Sequence, residues 1–419
     1  MIFEEMKKAE NKKAFIEKKS SSLSMNDQRL REVSDYFFSD RIDSDLDRLI
    51  AGDYYMERPK LIMLRKAGSN RRRKVYSFAI DDRSLLQYMV YMVMEKYDER
   101  YSPNLYSFRK ENNQLYLFRS IIRNDPQREH YIIKADIHSY GETINTDILD
   151  VKLKEWLKDE PEFHRFIMWL VTRNEYYHNG VLEKGFTSVM SGNPLTSFLE
   201  NLFLAELDET LSQRSLIYVR YTDDICVMCE DKESAEANLA LLKDIVENKL
   251  GLTLNEEKTG LIMPYEEYDL LGYKFGKDLV EISDNTYEKI TVRMKHRANR
   301  LLRGISKGYF DKEEALRRMA AYINRQFYAT GEHAENLGFA YRVMTIINST
   351  ERLKLLDQLS QESLRIVGSG RKTNAKYRIR YSDMKKLGYR SLIHEYYKRY
   401  EEGGLFRPLE KTDIGKNSV

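Results

Sequence analysis

LIYVRYTDDICVMC, residues Leu216 to Cys229, decides how the rest of the chain is read. A mostly apolar run from Leu216 to Tyr221 meets the polar Thr222-Asp223-Asp224, and a second apolar run follows from Ile225 to Cys229. Two short β-rich segments about a tight polar turn predict a hairpin. Adjacent aspartates at its tip concentrate negative charge in a half-buried place, which is costly unless a cation is bound there. Aspartate is also a common turn residue, so the hairpin taken alone reads equally well as a solvated turn.

Composition sets the outer bounds. A chain of 419 residues has room for two or three packed units, and 42% hydrophobic content supports a substantial core. No run reaches the ~18 unbroken apolar residues of a membrane span. The charged start MIFEEMKKAENKK lacks the apolar region of an export signal, so a cytoplasmic protein with no membrane partner is expected. Cys226 and Cys229, three apart on a strand, face opposite sides and have no second pair nearby. Zinc is therefore not expected, and the two read as core thiols. The 69 basic and 66 acidic residues nearly balance, so their clustering matters more than the net +3. Most of the thirty tyrosines read as core and rim packing; any beside exposed cations suit nucleotide stacking.

Residues 1–58 read as a helical extension with apolar positions at helical spacing and no visible chemistry. After Pro59, LIMLRKAGSNRRRKVYSFAI predicts a strand, a turn and a returning strand, flanked by Arg65, Lys66 and Arg71 to Lys74. A basic hairpin suits a phosphate clamp, although an isolated one is more often a solvated turn. YIIKADIHSY predicts a strand with Asp136 near its end, residues 145–178 a helical stretch, and residues from about Thr196 an amphipathic helix. A periodic helix follows the central hairpin and ends at Gly251; TLNEEKTGLI and YDLLGYKFG then predict strands. This order suggests an antiparallel sheet with helices on one face, an α+β unit over residues 59–289.

Beyond residue 289 the chain turns helical and cationic. Residues 291–308 hold Arg293, Lys295, Arg297, Arg300, Arg303 and Lys307 with no carboxylate. Residues 371–390 hold Arg371, Lys372, Lys376, Arg378 and Arg380, with Asp383 as the only acid. Cations this dense repel one another unless solvent or a polyanion screens them, and a phosphate backbone is the simplest such partner. Asp136 and the Asp223–Asp224 pair each end an apolar strand. If those strands are neighbours, three hard oxygen ligands converge, which suits magnesium. Two such ions ~3.5–4 Å apart would clamp an in-line phosphoryl displacement.

At this point the chain resembles the reverse transcriptases over roughly residues 59 to 280. RYTDD is similar to the family's tyrosine-x-aspartate-aspartate signature, and KADIHSY resembles the strand carrying its first catalytic aspartate. SGNPLTSFLENLFLAELD resembles the template- and nucleotide-contacting loop and helix, and LTLNEEKT followed by LLGYKF the next segment and the primer-gripping hairpin. The resemblance implies a right-hand polymerase, with fingers and palm at 59–289 and a basic helical thumb at 290–419. It implies two Mg2+ ions, deoxynucleoside triphosphates and an RNA–DNA hybrid. Asp136 and Asp223 would ligate the metals, Asp224 would support them, and Lys258 would protonate the leaving pyrophosphate. Lys66 and Arg73 would bind the triphosphate, and Ser191, Gly192, Asn193 and Pro194 would lie beneath template and nucleotide. Tyr221, Leu271 and Gly272 would hold the primer.

Two positions depart from the family. A bulky aromatic that excludes a ribose 2′-hydroxyl is usual five residues after the first aspartate; here that residue is Gly141, preceded by Tyr140. Either Tyr140 swings into the role or sugar discrimination is weak. Ser191 stands where glutamine is common. A stand-alone enzyme with a short helical start and a basic helical thumb looks like the defence-associated reverse transcriptases, the type 2 group in particular. That implies a dedicated structured RNA as template and a role in resisting phage. The competing readings are a maturase-like RNA-binding protein and a template-independent or protein-primed polymerase. Oligomeric state is not legible in the sequence.

Overall fold

A computed structural model describes residues 1–20, 27–65, 72–109, 117–118, 121–122, 129–185, 189–328, 338–370 and 379–401. The architecture is α+β, as expected, and the chain divides into two compact units at Pro264/Tyr265.

The first unit begins with helices α1 (Ile2–Lys7), α2 (Ala9–Ser20), α3 (Asp27–Phe37) and α4 (Asp40–Ala51). They share one core with the rest of the unit. Phe3 meets Phe163 edge-on at 5.5 Å, Phe15 lies 5.0 Å from Tyr88, and the Ile2 amide donates to the buried Glu160 carboxylate at 2.6 Å. The predicted extension is thus part of the packed body.

Strands β1 (Lys60–Arg65) and β2 (Arg72–Ser77) pair antiparallel, as the basic hairpin predicts. Helix α5 (Ile80–Tyr97) follows. Strand β3 (Tyr131–Asp136) leads to a short helix α6 (Tyr140–Thr143) and then to α7 (Thr146–Trp156) and α8 (Pro161–Thr172). Expected helical through residue 178, this stretch instead leaves α8 for β4 (Glu175–His178), which turns at Asn179-Gly180 into β5 (Val181–Lys184). Both turn residues have positive φ, which Asn and Gly tolerate, and the exchanged backbone hydrogen bonds override a helix-like pattern. β1 also pairs with β4, giving the order β2-β1-β4-β5.

Helices α9 (Thr196–Phe203) and α10 (Ala205–Ser212) precede the central hairpin, β6 (Ile217–Tyr221) and β7 (Asp224–Cys229). Helix α11 (Lys232–Lys243) packs on β3, β7 and β8 (Gly260–Ile262). Strand β8 is shorter than TLNEEKTGLI suggests, because the preceding residues hydrogen-bond around the end of β3 rather than along it. The central sheet has the order β6-β7-β3-β8, with every pairing antiparallel. Cys226 and Cys229 are both buried in β7, and the Asn238 amide donates to Cys229 Sγ at 3.4 Å.

The second unit holds β9 (Tyr268–Leu270), β10 (Tyr273–Phe275) and β11 (Val280–Ile282), in the order β11-β10-β9. Helices α12 (Asp284–Ser306), α13 (Lys312–Tyr328), α14 (Phe339–Met344), α15 (Glu351–Ser369), α16 (Tyr381–Lys386) and α17 (Leu392–Glu401) follow. This second compact unit begins at Tyr265, within the stretch 59–289 expected to hold fingers and palm. Strand β11 is tied to the link between α14 and α15: the Val280 amide donates to Asn348 Oδ1 at 2.7 Å, and the Asn348 backbone amide returns to the Val280 carbonyl at 3.0 Å. Ser283, directly after β11, caps α12 through the Thr286 amide. Among the described residues no helix is long and apolar enough to cross a membrane.

Candidate active site

Strands β3 and β7 lie side by side in a register that pairs Asp136 with Asp224, and β6 pairs Tyr221 with Asp224. Directly opposed residues on antiparallel strands have Cα atoms ~4.5–5.5 Å apart. Two residues far apart in sequence are therefore brought to one sheet edge, with Asp223 in the turn beside them.

That turn consists of Thr222 and Asp223, and Thr222 has φ 58°. A β-branched residue there is strained by roughly 1–3 kcal/mol and persists only where its surroundings over-determine it. They do. The Thr222 amide donates to Ser107 Oγ at 3.0 Å, its carbonyl accepts from Arg220 Nη1 at 3.0 Å, and its hydroxyl donates to Asp223 Oδ1 at 2.8 Å. Arg220 is 0% exposed. Its guanidinium grips Asp208 with two bonds of 2.6 Å and donates to the Asn201 carbonyl at 3.2 Å, while Tyr218 donates to Asp208 at 2.7 Å. This network clamps the hairpin to α9 and α10. Sequence reading missed it, since a lone Arg within LIYVRY reads as strand alternation.

Asp136 is 7% exposed and fully engaged. Lys258 Nζ donates to its Oδ1 at 2.7 Å, Asn255 Nδ2 to its Oδ2 at 3.2 Å, and its own amide donates to Thr259 Oγ1 at 3.3 Å. The quoted segment LTLNEEKT thus closes over the first aspartate. Burial works against the Lys258 charge, but the Asp136 carboxylate more than offsets it and holds the ammonium above its ordinary value. Burial, then the neighbouring Asp223 and Asp136 carboxylates, push Asp224 up to about 6.

All three acids offer hard oxygen donors with no thiolate or imidazole among them, which suits Mg2+. Among the described residues no three His, Cys, Asp or Glu side chains are grouped so that they could hold a metal ion by themselves. Mg2+ is commonly bound by one or two carboxylates and completed by substrate phosphates, so this open set fits it. The raised Asp224 value fixes a pH dependence. A protonated carboxyl cannot ligate, so proton competition begins at higher pH than for an ordinary aspartate. Mn2+ affinity, followed by electron paramagnetic resonance, is expected to be full at neutral pH and to fall as pH drops through about 6. In Asp224→Asn this step should disappear; its persistence would assign it to another group.

The loop from Ser191 to Pro194 docks on β2. The Tyr76 amide donates to the Ser191 carbonyl at 2.8 Å, and Asn193 Oδ1 accepts from the Leu195 amide at 3.0 Å to shape the start of α9. Gly192 has φ +105°, and a Cβ there would lie 2.4 Å from the Tyr76 carbonyl oxygen. Gly192→Ala is expected to cost roughly 1–3 kcal/mol through strain and displacement of β2. A lowered melting temperature with a raised nucleotide KM would verify this; an unchanged protein would mean the loop adapts.

Arg73 is exposed on β2, opposite Leu64, whereas Lys66 lies outside the described residues. Tyr140 is buried and its hydroxyl donates to the Glu200 carbonyl at 2.6 Å, so it is held in the core rather than free to swing outward. Pro194 and Tyr221 are half-buried. In the second unit, Leu271 (φ 48°) and Gly272 (φ 90°) form the tight turn between β9 and β10.

Arg293, Lys295, Arg300 and Arg303 are exposed on α12, and Arg297 is half-buried with its Nε unpaired and its guanidinium over Tyr322. A cavity of about 790 Å³ is lined by Arg297, Arg300, Arg303, Lys307, Tyr309 and Arg318 among others. Arg380 is exposed at the start of α16, while Arg371, Lys372, Lys376 and Arg378 lie outside the described residues.

Residues 64–275, half of the chain, match the family described as reverse transcriptase (RNA-dependent DNA polymerase). The chain belongs to the reverse transcriptase family. Its enzyme class is accordingly that of RNA-directed DNA polymerases. Protein YkfC of Escherichia coli (strain K12) is 21% identical, over 54% of this chain and 69% of its own length. Two solved structures are more remote. Apo telomerase from Candida tropicalis, truncated from its C-terminal domain, is 13% identical with a TM-score of 0.41, over 54% of this chain and 55% of that one. Telomerase from Candida albicans with a TWJ fragment of telomeric RNA is 11% identical with a TM-score of 0.43, over 85% of this chain and 67% of that one. At these values they bear on neither substrate nor partner.

Proposed function

We propose that this reverse transcriptase copies a dedicated, structured non-coding RNA into DNA in the cytoplasm, as part of a defence against phage. The register that sets Asp136 against Asp224, with Asp223 beside them, is the observation that carries the polymerase reading. Asp136, Asp223 and Asp224 would hold two Mg2+ ions, which when bound would sharpen the primer hydroxyl as a nucleophile and offset charge on the pyrophosphate.

The chain's own groups do the rest. The primer 3′-hydroxyl gives up its proton to solvent and its oxygen bonds to the α-phosphorus of a deoxynucleoside triphosphate as the bond to pyrophosphate breaks. Lys258 supplies a proton to that leaving group. Arg73 and Lys66 bind the triphosphate, and the loop from Ser191 to Pro194 positions the base pair. Tyr221, Leu271 and Gly272 support the primer. The exposed cations of α12, with Arg380 and the basic stretch 371–378, bind the phosphate backbone of template and hybrid. The defence role is supported by resemblance of organisation alone.

The test is to purify the full chain with its bound RNA, supply Mg2+ and deoxynucleotides, and sequence both RNA and product. DNA complementary to one recurrent RNA is expected. Products drawn from unrelated transcripts would refute a dedicated template, and DNA covalently joined to a tyrosine would replace the primer assignment with protein priming.

A further inference from the structure

Gly141 lies in α6, five residues after Asp136, and carries no side chain. A Cβ built there would sit 2.7 Å from Glu200 Oε1 and 3.3 Å from the Val189 carbonyl oxygen. The volume that a side chain at 141 would enter is already filled by a carboxyl arriving from α9. The arrangement is anchored, because the Tyr140 hydroxyl donates to the Glu200 carbonyl and ties the residue before Gly141 to that turn of α9. Glu200 also stands within the field of the catalytic hairpin: burial, then the Asp223 carboxylate, push it up to about 7.

A nucleotide whose α-phosphorus reaches the aspartates has its sugar only an ester oxygen and one methylene away. The groups flanking the aspartates therefore form the surface that the sugar meets. On that polymerase reading, we propose that Glu200 is the residue that selects deoxyribose, its carboxyl occupying the room a 2′-hydroxyl would need above Gly141. The Val189 carbonyl oxygen borders the same volume. Gly141 and Glu200 are thus one unit, the missing side chain of one making space for the other.

The experiment measures kcat/KM for a deoxynucleotide and its matching ribonucleotide on one primed RNA. Glu200→Ala is expected to lower that ratio by at least about 10-fold, the scale of discrimination by pocket volume. Glu200→Gln, equal in size, should keep the ratio. Gly141→Phe alone collides with Glu200, so it should impair deoxynucleotide use; Gly141→Phe with Glu200→Ala should restore both use and selectivity, a non-additive pair. An unchanged or raised ratio in Glu200→Ala, or a Gln variant as permissive as Ala, would overturn the assignment. So would a folded Glu200→Ala protein unable to use deoxynucleotides. If the parent protein makes no DNA, it is the polymerase reading that falls; if it makes DNA and these ratios do not move, only the sugar-selecting role falls.

Discussion

Asp136→Asn should reduce nucleotide incorporation by about 10³-fold or more while leaving the fold intact, on the scale of removing a group that stabilises transition-state charge. The substitution keeps size and the capacity to accept a hydrogen bond from Asn255, but it removes the charge that Lys258 neutralises and a cation would need. The defect should appear in kcat, since the acid acts where charge develops, with little change in KM. RNA binding should be retained if the exposed cations of α12 carry it, as proposed, since they are untouched. A variant that polymerises within about 10-fold of the parent would show that this carboxylate does not act on the reacting phosphate.

The second large effect concerns stability. Arg220→Ala is expected to cost roughly 3–5 kcal/mol, because it leaves the Asp208 carboxylate buried with its charge uncompensated. Asp208 has no route to water: both members of the pair have side chains 0% exposed. The Thr222 carbonyl would lose a donor as well, freeing the strained turn that carries Asp223. Activity should therefore fall even below the unfolding temperature. Arg220→Met with Asp208→Leu should be milder than either single change, since replacing both charges removes the desolvation problem. Urea unfolding of the single and double variants distinguishes this from simple loss of packing. A single-variant shift under about 1 kcal/mol would mean that water reaches the site.

Much of the site is legible in the sequence because its parts are local. A hairpin is written in apolar runs about a polar turn, and an aspartate ending a strand is visible in YIIKADIHSY. The convergence of those strands was conditional on their being neighbours, and the register of β3 with β7 supplies it. What could not be read depends on packing between distant segments. Glu200 sits in an ordinary helical pattern, and only the approach of α9 to α6 places its carboxyl over Gly141. Ser107 reaches Thr222 from 115 residues away, a contact no local pattern announces. The division into compact units after Pro264 likewise depends on packing between distant segments. The strands β9 to β11 look continuous with the strands before them, but they pair only with one another, and β11 bonds to Asn348.

Whether the acids at this strand end transfer nucleotides to a primer on RNA is decided by one comparison. The full chain and its Asp223→Ala, Asp224→Ala double variant are given the same primed RNA, Mg2+ and labelled deoxynucleotides, with RNA binding measured in parallel. Template-length DNA is expected from the parent, none from the variant, and equal RNA binding by both. Equal DNA synthesis by the variant would contradict that role for the acids.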